Sequence, residues 1–290
     1  MPDAARQTMR TWRLFGGAAV PGALIVLTLM AIGVARYPAS LQGSGNRLLW
    51  TNITLLLTYG LAGIWVWCQR RSDVLSAIRI GATAGLLLGA IFLANHAIEL
   101  FVRDRDFALV ITPVFLAFAL LGAVGSAAWQ RTRSLVLAAI AGVWCAVVAT
   151  LILISVVLAF NLAFAARAEL PLREPFAASG MTDHGAFLER NSLQAASEGL
   201  VRMPVLALLL SLLGASANAW IARWSRTVVL AAAWIAPIFL VMGAAALWSA
   251  NSLARSARPP LVLAGVLLSG VALAAAHPIA ATLRRSRRIS

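Results

Sequence analysis

The chain has 290 residues, of which 61% are hydrophobic and only 12% are charged. A soluble domain is about half apolar and a quarter charged, so this composition excludes a soluble enzyme, a disulfide-rich secreted domain and a disordered tail. All 24 basic residues are arginine, and the formal charge is +14. In a soluble protein that charge would suggest nucleic acid as a partner, but these arginines lie at the ends of apolar runs, where they orient a membrane protein. We therefore predict a bacterial-type membrane protein that does not bind nucleic acid.

Eight apolar runs are long enough to cross a bilayer, which takes roughly 20 residues each. They lie at about 14–35, 48–68, 74–101, 107–129, 134–166, 203–222, 227–250 and 260–282. The first run follows a basic segment, as in a signal peptide, but it is too long for one and no small-residue cleavage site follows it. We predict an all-α, polytopic integral membrane helix bundle of about eight transmembrane helices, forming one domain over residues 1–290 in the lipid bilayer.

The arginines are unevenly distributed between the two sides of the predicted membrane. If the N-terminus is cytoplasmic, that side holds thirteen arginines and only two acids, Asp3 and Asp73. The thirteen are Arg6, Arg10, Arg13, Arg70, Arg71, Arg131, Arg133, Arg223, Arg226, Arg284, Arg285, Arg287 and Arg288. Arginine in short loops marks the cytoplasmic side. We therefore predict a multi-pass protein of the cell inner (plasma) membrane with the N- and C-termini in the cytoplasm.

The three inner turns resemble one another. Each begins with a tryptophan, at Trp67, Trp129 or Trp220, and continues with two arginines and a serine or threonine. One interpretation is three tandem copies of a helical hairpin, with one further helix at each end, as parallel repeats occur in carriers. The alternative is that every inner turn needs arginines and every membrane interface favours tryptophan. The sequence leaves both open.

The long connection 167–202 is predicted to lie on the extracytoplasmic side. It contains the turn Ser179-Gly180, and Thr182 or Asp183 is a suitable N-cap for a helix that would end near Leu200. One side of this helix would be polar, and its polar residues are Glu189, Arg190, Gln194 and Glu198. We therefore expect the helix to lie flat at the membrane interface. Pro204 would then begin the sixth span. The helix is either a lid over an outer cavity or a passive surface helix, and the second is the simpler interpretation.

The third span carries the clearest cluster of polar residues, Asn95, His96 and Glu99, near its outer end. At about 100° per residue, this cluster lies on the same helix face as three glycines with GxxxG spacing. These are Gly81, Gly85 and Gly89. Small residues at this spacing let helices approach closely, so we predict that the face packs against another helix and that the polar cluster points into the bundle.

The polar cluster of the third span would form part of a pocket if neighbouring spans also carry polar residues near their outer ends. Asn52 and Asn161 fall in the outer third of their spans, so we predict an outward-facing pocket lined by Asn52, Asn95, His96, Glu99 and Asn161. Such a pocket would handle protons near neutrality or bind a cationic or hydroxylated solute. The alternative is that Glu99 pairs with Arg103 or Arg105 and only secures a helix end, which contributes ~0–1 kcal/mol.

The sequence predicts no metal site and no cofactor. Cys68 and Cys145 lie apart in apolar runs, and the histidines His96, His184 and His277 lie at different depths. Motifs for nucleotide binding or a nucleophile are lacking, which argues against an enzyme. Two functions stay open. The first is a small-solute carrier or permease-like subunit that uses the pocket. The second is a non-catalytic scaffold or regulatory subunit that binds a membrane protein or a second copy through its glycine faces.

Overall fold

The computed structural model describes residues 18–101, 107–164 and 173–221. The predicted spans at 227–250 and 260–282 lie outside these residues, as do the basic N-terminal segment and His277. The side chain of Glu99 is also outside the described part.

The described chain is all-helical, as predicted. Its elements are α1 (Ala19–Arg36), a short 3-10 helix (Pro38–Leu41), α2 (Gly45–Cys68), α3 (Ser72–Phe101), α4 (Phe107–Thr132), α5 (Leu135–Ala163), α6 (Arg173–Ser179) and α7 (His184–Ile221). Six of these helices, α1 to α5 and α7, are long and apolar enough to cross a membrane. The protein is thus a multi-pass helical membrane protein.

Two tight turns, one between α2 and α3 and one between α4 and α5, lie at one end of the bundle and contain arginines. Between α4 and α5, Arg133 has a positive φ of 55°, and its guanidinium lies over the Trp129 ring at 4.5 Å. The hydroxyl of Ser134 accepts a hydrogen bond from the backbone N–H of Leu137 and caps α5. Between α2 and α3, Arg71 pairs with Asp73 at 2.7 Å. We call this end the turn end, and the opposite end, where residues 37–44 and the N-terminus of α7 lie, the loop end.

Successive long helices alternate in direction. On α3 and α5, Gly81 faces Ala141 and Gly85 faces Cys145, so these helices are parallel. On α2 and α7, Asn52 contacts Leu193 and Tyr59 contacts Leu200, so these two are also parallel. A contact between Thr150 and Gly199, together with one between Asn161 and Ser192, makes α5 and α7 antiparallel. This alternation is expected of a chain that crosses a membrane repeatedly; a cytoplasmic N-terminus stays a prediction.

Helix α5 forms the centre of the bundle. It packs against α1, α3, α4 and α7, and its residues are buried on several sides, among them Ala141, Cys145 and Ala149. A helix that is apolar all round is expected to be buried, and α5 is the most hydrophobic of the six long helices. The glycines of α3 lie on α5, with Gly89 facing Ile152.

Helix α7 differs from what the sequence led us to expect. A separate interfacial helix and a span beginning near residue 203 were predicted, but His184–Ile221 is one helix of 38 residues. Its first half packs into the bundle, because Leu188, Leu193 and Leu200 are buried there. At 1.5 Å per residue the helix is about 57 Å long, well beyond the ~30 Å hydrocarbon core of a bilayer.

The continuity of α7 through Pro204 has a local cause. A proline has no N–H, so the carbonyl four residues earlier loses its helical hydrogen bond. That carbonyl belongs to Leu200, and the Tyr59 hydroxyl donates a hydrogen bond to it at 2.6 Å. Neighbouring helices are known to satisfy backbone groups that proline frees in membranes. Tyr59 on α2 therefore replaces the bond that Pro204 cannot make.

The two described hairpins are packed differently. Helices α4 and α5 pack against each other, whereas α2 packs on α1 and α7, and α3 packs on α5 and α4. The two helices of the first hairpin thus face different neighbours. The third predicted copy extends beyond residue 221, outside the described part, so the tandem-hairpin interpretation stays a prediction.

Candidate functional site

Three buried polar side chains and one half-buried one, that of Asn161, form a layer near the loop end, where α1, α2, α5 and α7 meet. The layer consists of Asn52, Asn161, Glu189 and Ser192, and we call it the polar layer. The Asn52 side-chain amide donates to the carbonyl oxygen of Leu193 at 2.8 Å. The Asn161 amide donates to the Ser192 hydroxyl at 2.9 Å, and that hydroxyl donates to the Leu188 carbonyl at 2.9 Å. Asn52 and Asn161 therefore reach α7 at two successive residues.

The other members of the predicted pocket lie on α3. Asn95 and His96 are half-buried there, and α3 packs on α5 and α4. The structure thus brings Asn52 and Asn161 together on α7, whereas Asn95 and His96 lie on α3, which packs on α5. A single pocket lined by all five predicted residues remains a prediction.

Two members of the polar layer, Ser192 and Glu189, were not predicted from the sequence, and Glu189 is the more unusual of the two. Its residue surface is only 4% exposed, and its carboxylate lies directly against Gly33 of α1, where a Cβ would overlap both carboxylate oxygens. The sequence pattern alone predicts Glu189 on the polar side of an interfacial helix. A signal was present, because Leu193, Ala196 and Leu200 follow Glu189 at helical spacings of four, seven and eleven residues and share its face.

Three buried oxygen atoms in this region have no hydrogen-bond partner among the described residues. They are Glu189 Oε1, Asn52 Oδ1 and, in the 3-10 helix, Ser40 Oγ. Most buried polar atoms in proteins are hydrogen-bonded, and a buried charge is costly unless it is paired. The polar layer therefore has oxygen atoms that could bond to a group outside the described residues, such as a water molecule, a proton or a ligand group.

A cavity of about 290 Å³ adjoins the polar layer between α3, α5 and α7. Its polar side chains are Thr150 and Ser192, and the remaining lining is apolar or glycine. These other lining residues are Phe92, Leu153, Ile154, Val157, Leu158, Ala195, Ala196, Gly199 and Met203. Since Ser192 belongs to both the cavity wall and the polar layer, the two features are continuous.

Thr150 is unusual among the helical threonines of the described chain. A threonine hydroxyl in a helix usually bonds to the carbonyl four residues earlier. Six do so here: Thr28, Thr51, Thr54, Thr58, Thr83 and Thr132. The Thr150 hydroxyl, by contrast, is buried and has no hydrogen bond in the described part. A hydroxyl with unused bonding capacity therefore lies in the wall of an apolar cavity.

The link between Asn161 and Ser192 can be tested for its contribution to stability. In a double-mutant cycle of Asn161→Ala and Ser192→Ala, we expect a coupling of about 0.6 kcal/mol, and at most ~1.7 kcal/mol, which is the range for hydrogen bonds between membrane helices. The measurement is the free energy of unfolding in mixed micelles. Strictly additive effects of the two substitutions would show that the bond does not hold α5 to α7.

The fold and this site define the class of the molecule as a multi-pass helical membrane protein with a buried polar layer beside an apolar cavity. Comparisons with protein-family profiles, with curated proteins and with solved structures find no match to the chain. In the ranges that the structure describes, no three histidine, cysteine or acidic side chains are grouped to hold a metal ion.

Proposed function

We propose that the protein is a carrier, or the permease-like subunit of one, for a small solute that binds in the cavity between α3, α5 and α7. The cavity is the observation that carries this proposal. Its volume, about 290 Å³, is close to the lower limit of ligand pockets, which are roughly 300–1,000 Å³ and mostly apolar with a few polar groups. The expected solute is compact and mainly apolar, with one group that hydrogen-bonds to Thr150 or Ser192.

The depth of the cavity supports transport. Thr150 lies midway along α5, and Gly199 faces it from α7. Carrier binding sites are typically near the middle of the membrane. In this proposal the chain keeps its predicted arrangement in the inner membrane, with about eight spans in tandem hairpins and both termini cytoplasmic.

The scaffold function receives less support, because the glycine faces that would bind a partner are already covered. Gly81 and Gly85 on α3 pack against α5, where even a Cβ would meet backbone oxygens. Gly125 and Gly142 both pack against Ser211 of α7. These close approaches serve contacts within the chain.

Cysteine labelling tests whether the cavity can be reached. In a Cys68→Ser background, the Ala196→Cys variant places a thiol on the cavity wall, and Cys145, which is buried on α5 away from the cavity, serves as the internal control. In oriented proteoliposomes, an impermeant thiol reagent added on either side should modify the introduced thiol and leave Cys145 intact. Adding Gly199→Leu, which fills the cavity, should strongly slow the modification.

The outcomes separate the proposals. Modification from both membrane sides, slowed by one class of small amphipathic solutes in a panel, is the result expected of a carrier. If the introduced thiol is as unreactive as Cys145 from both sides, the cavity is closed and the carrier proposal fails. Modification that only a lipid-soluble maleimide achieves would also contradict it, because the cavity would then open to the bilayer and not to water.

A further inference from the structure

Glu189 has the surroundings of a group that binds a small positive ligand. Its carboxylate is buried at the contact between α7 and α1, and Oε1 has no hydrogen bond to a described residue. An ionisable side chain in a membrane bundle is costly and usually marks an ion or proton path. We propose that Glu189 is a proton-binding site, which holds a proton on its carboxyl group where α7 packs against Gly33.

Space at the site favours a proton over a larger cation. The carboxylate is in such close contact with Gly33 that a single added carbon there would overlap it. A metal ion needs several oxygen ligands around it, and no cluster of three acidic, histidine or cysteine side chains occurs in the described ranges. The cavity lining also leaves Glu189 out. A proton needs neither additional ligands nor additional volume.

The charged and titratable groups near Glu189 are engaged elsewhere or exposed. On α1, Arg36 donates to the Leu162 carbonyl at 3.2 Å. On α7, Arg190 donates to the Ser44 hydroxyl at 2.8 Å, and Glu198 pairs with Arg202 at 2.8 Å. The remaining such groups on the described elements packed around Glu189 are engaged elsewhere, buried apart from it or exposed. They are Tyr37, which lies against Gly185, Tyr59, which donates to the Leu200 carbonyl, Arg47 and Cys68, which are exposed, Cys145, which is buried on α5, Asp183, which caps α7, and His184, which packs on Phe176. None of the arginines named here forms an ion pair with Glu189 in the described part of the chain.

The position of Glu189 connects proton binding to the cavity. Ser192 lies three residues further along α7 on the same face and lines the cavity. Loss of the proton would leave an unpaired charge between α1 and α7 and would favour their separation, because water could then reach the carboxylate. This consequence rests on the proposed function, whereas the proton site itself does not.

Infrared spectroscopy tests the site without requiring a transported solute. A protonated carboxyl group has a C=O stretching band above the amide I region, which shifts on hydrogen–deuterium exchange. With 13C-labelled glutamate, the reconstituted wild-type protein should show such a band near neutral pH, and the band should disappear when the pH is raised. It should be lost in Glu189→Gln and retained in the matched controls Glu198→Gln and Glu99→Gln.

Each result bears on the proposal directly. A glutamate band in the wild type that only Glu189→Gln removes confirms the site. The proposal is overturned if the wild type lacks the band, which requires no variant to fold, or if Glu99→Gln removes it and Glu189→Gln does not. A negative infrared result would leave the cysteine-labelling result on the cavity unaffected. The proton-site proposal and the carrier proposal are therefore tested separately.

Discussion

Replacing Gly125 by alanine is expected to destabilise the bundle by about 1–3 kcal/mol or more, the cost of overpacking a well-packed interior. The added Cβ would fall on the backbone of Ser211, where α4 and α7 are in direct contact. Backbone atoms cannot move aside as a flexible side chain can, so α4 and α7 would have to separate along several residues.

Gly122 provides the matched control one turn earlier on α4. A Cβ at Gly122 would have no atom within 4 Å, so Gly122→Ala should leave stability unchanged or raise it by up to ~1 kcal/mol through better helix propensity. Both variants are compared by equilibrium unfolding in mixed micelles, followed by circular dichroism. Equal stability of the two variants would contradict the described contact between α4 and α7.

Replacing Leu200 by alanine should cost about 2–5 kcal/mol, the range for removing a large buried side chain. Leu200 is only 1% exposed and lies where the first half of α7 packs into the bundle. If that half were a surface helix, the same substitution would have little effect. The measurement therefore tests whether residues 184–202 belong to the bundle core.

The control for Leu200 lies on the same helix. Leu209 is 54% exposed on the outer face of α7, where lipid can replace the lost contacts, so Leu209→Ala should change the free energy of unfolding by less than about 0.5 kcal/mol. A loss of similar size at Leu200 and Leu209 would mean that the first half of α7 is not packed as described.

The predicted helices follow from local properties of the chain. Long apolar runs placed α1 to α5 to within a few residues, because apolar length and arginine-containing turns are visible in the sequence. The continuity of α7 was not predictable in the same way. Pro204 is a reliable sign of a helix start when it is considered alone, and its hydrogen-bond substitute, Tyr59, is 145 positions earlier in the chain.

Predicting the site from the sequence would have required knowledge of which helices are neighbours. Asn52 and Asn161 were singled out by their depth, but their meeting on α7 depends on the packing of α2, α5 and α7, which helix periodicity does not contain. Glu189 was assigned to the wrong side of its helix because the helix was expected to lie flat. Had the apolar spacing from Leu193 to Leu200 been continued backward, Glu189 would have been placed on the buried face.

The hydrogen bond from Tyr59 to Leu200 also determines how α7 can bend. A helix with an internal proline usually has a ready bending point, since one carbonyl is free. In α7 the hydroxyl of Tyr59 on α2 donates a hydrogen bond to this carbonyl at 2.6 Å. A different helix therefore restrains bending at this point. Bending at Pro204 that displaces the Leu200 carbonyl would therefore have to break its hydrogen bond to Tyr59 on α2.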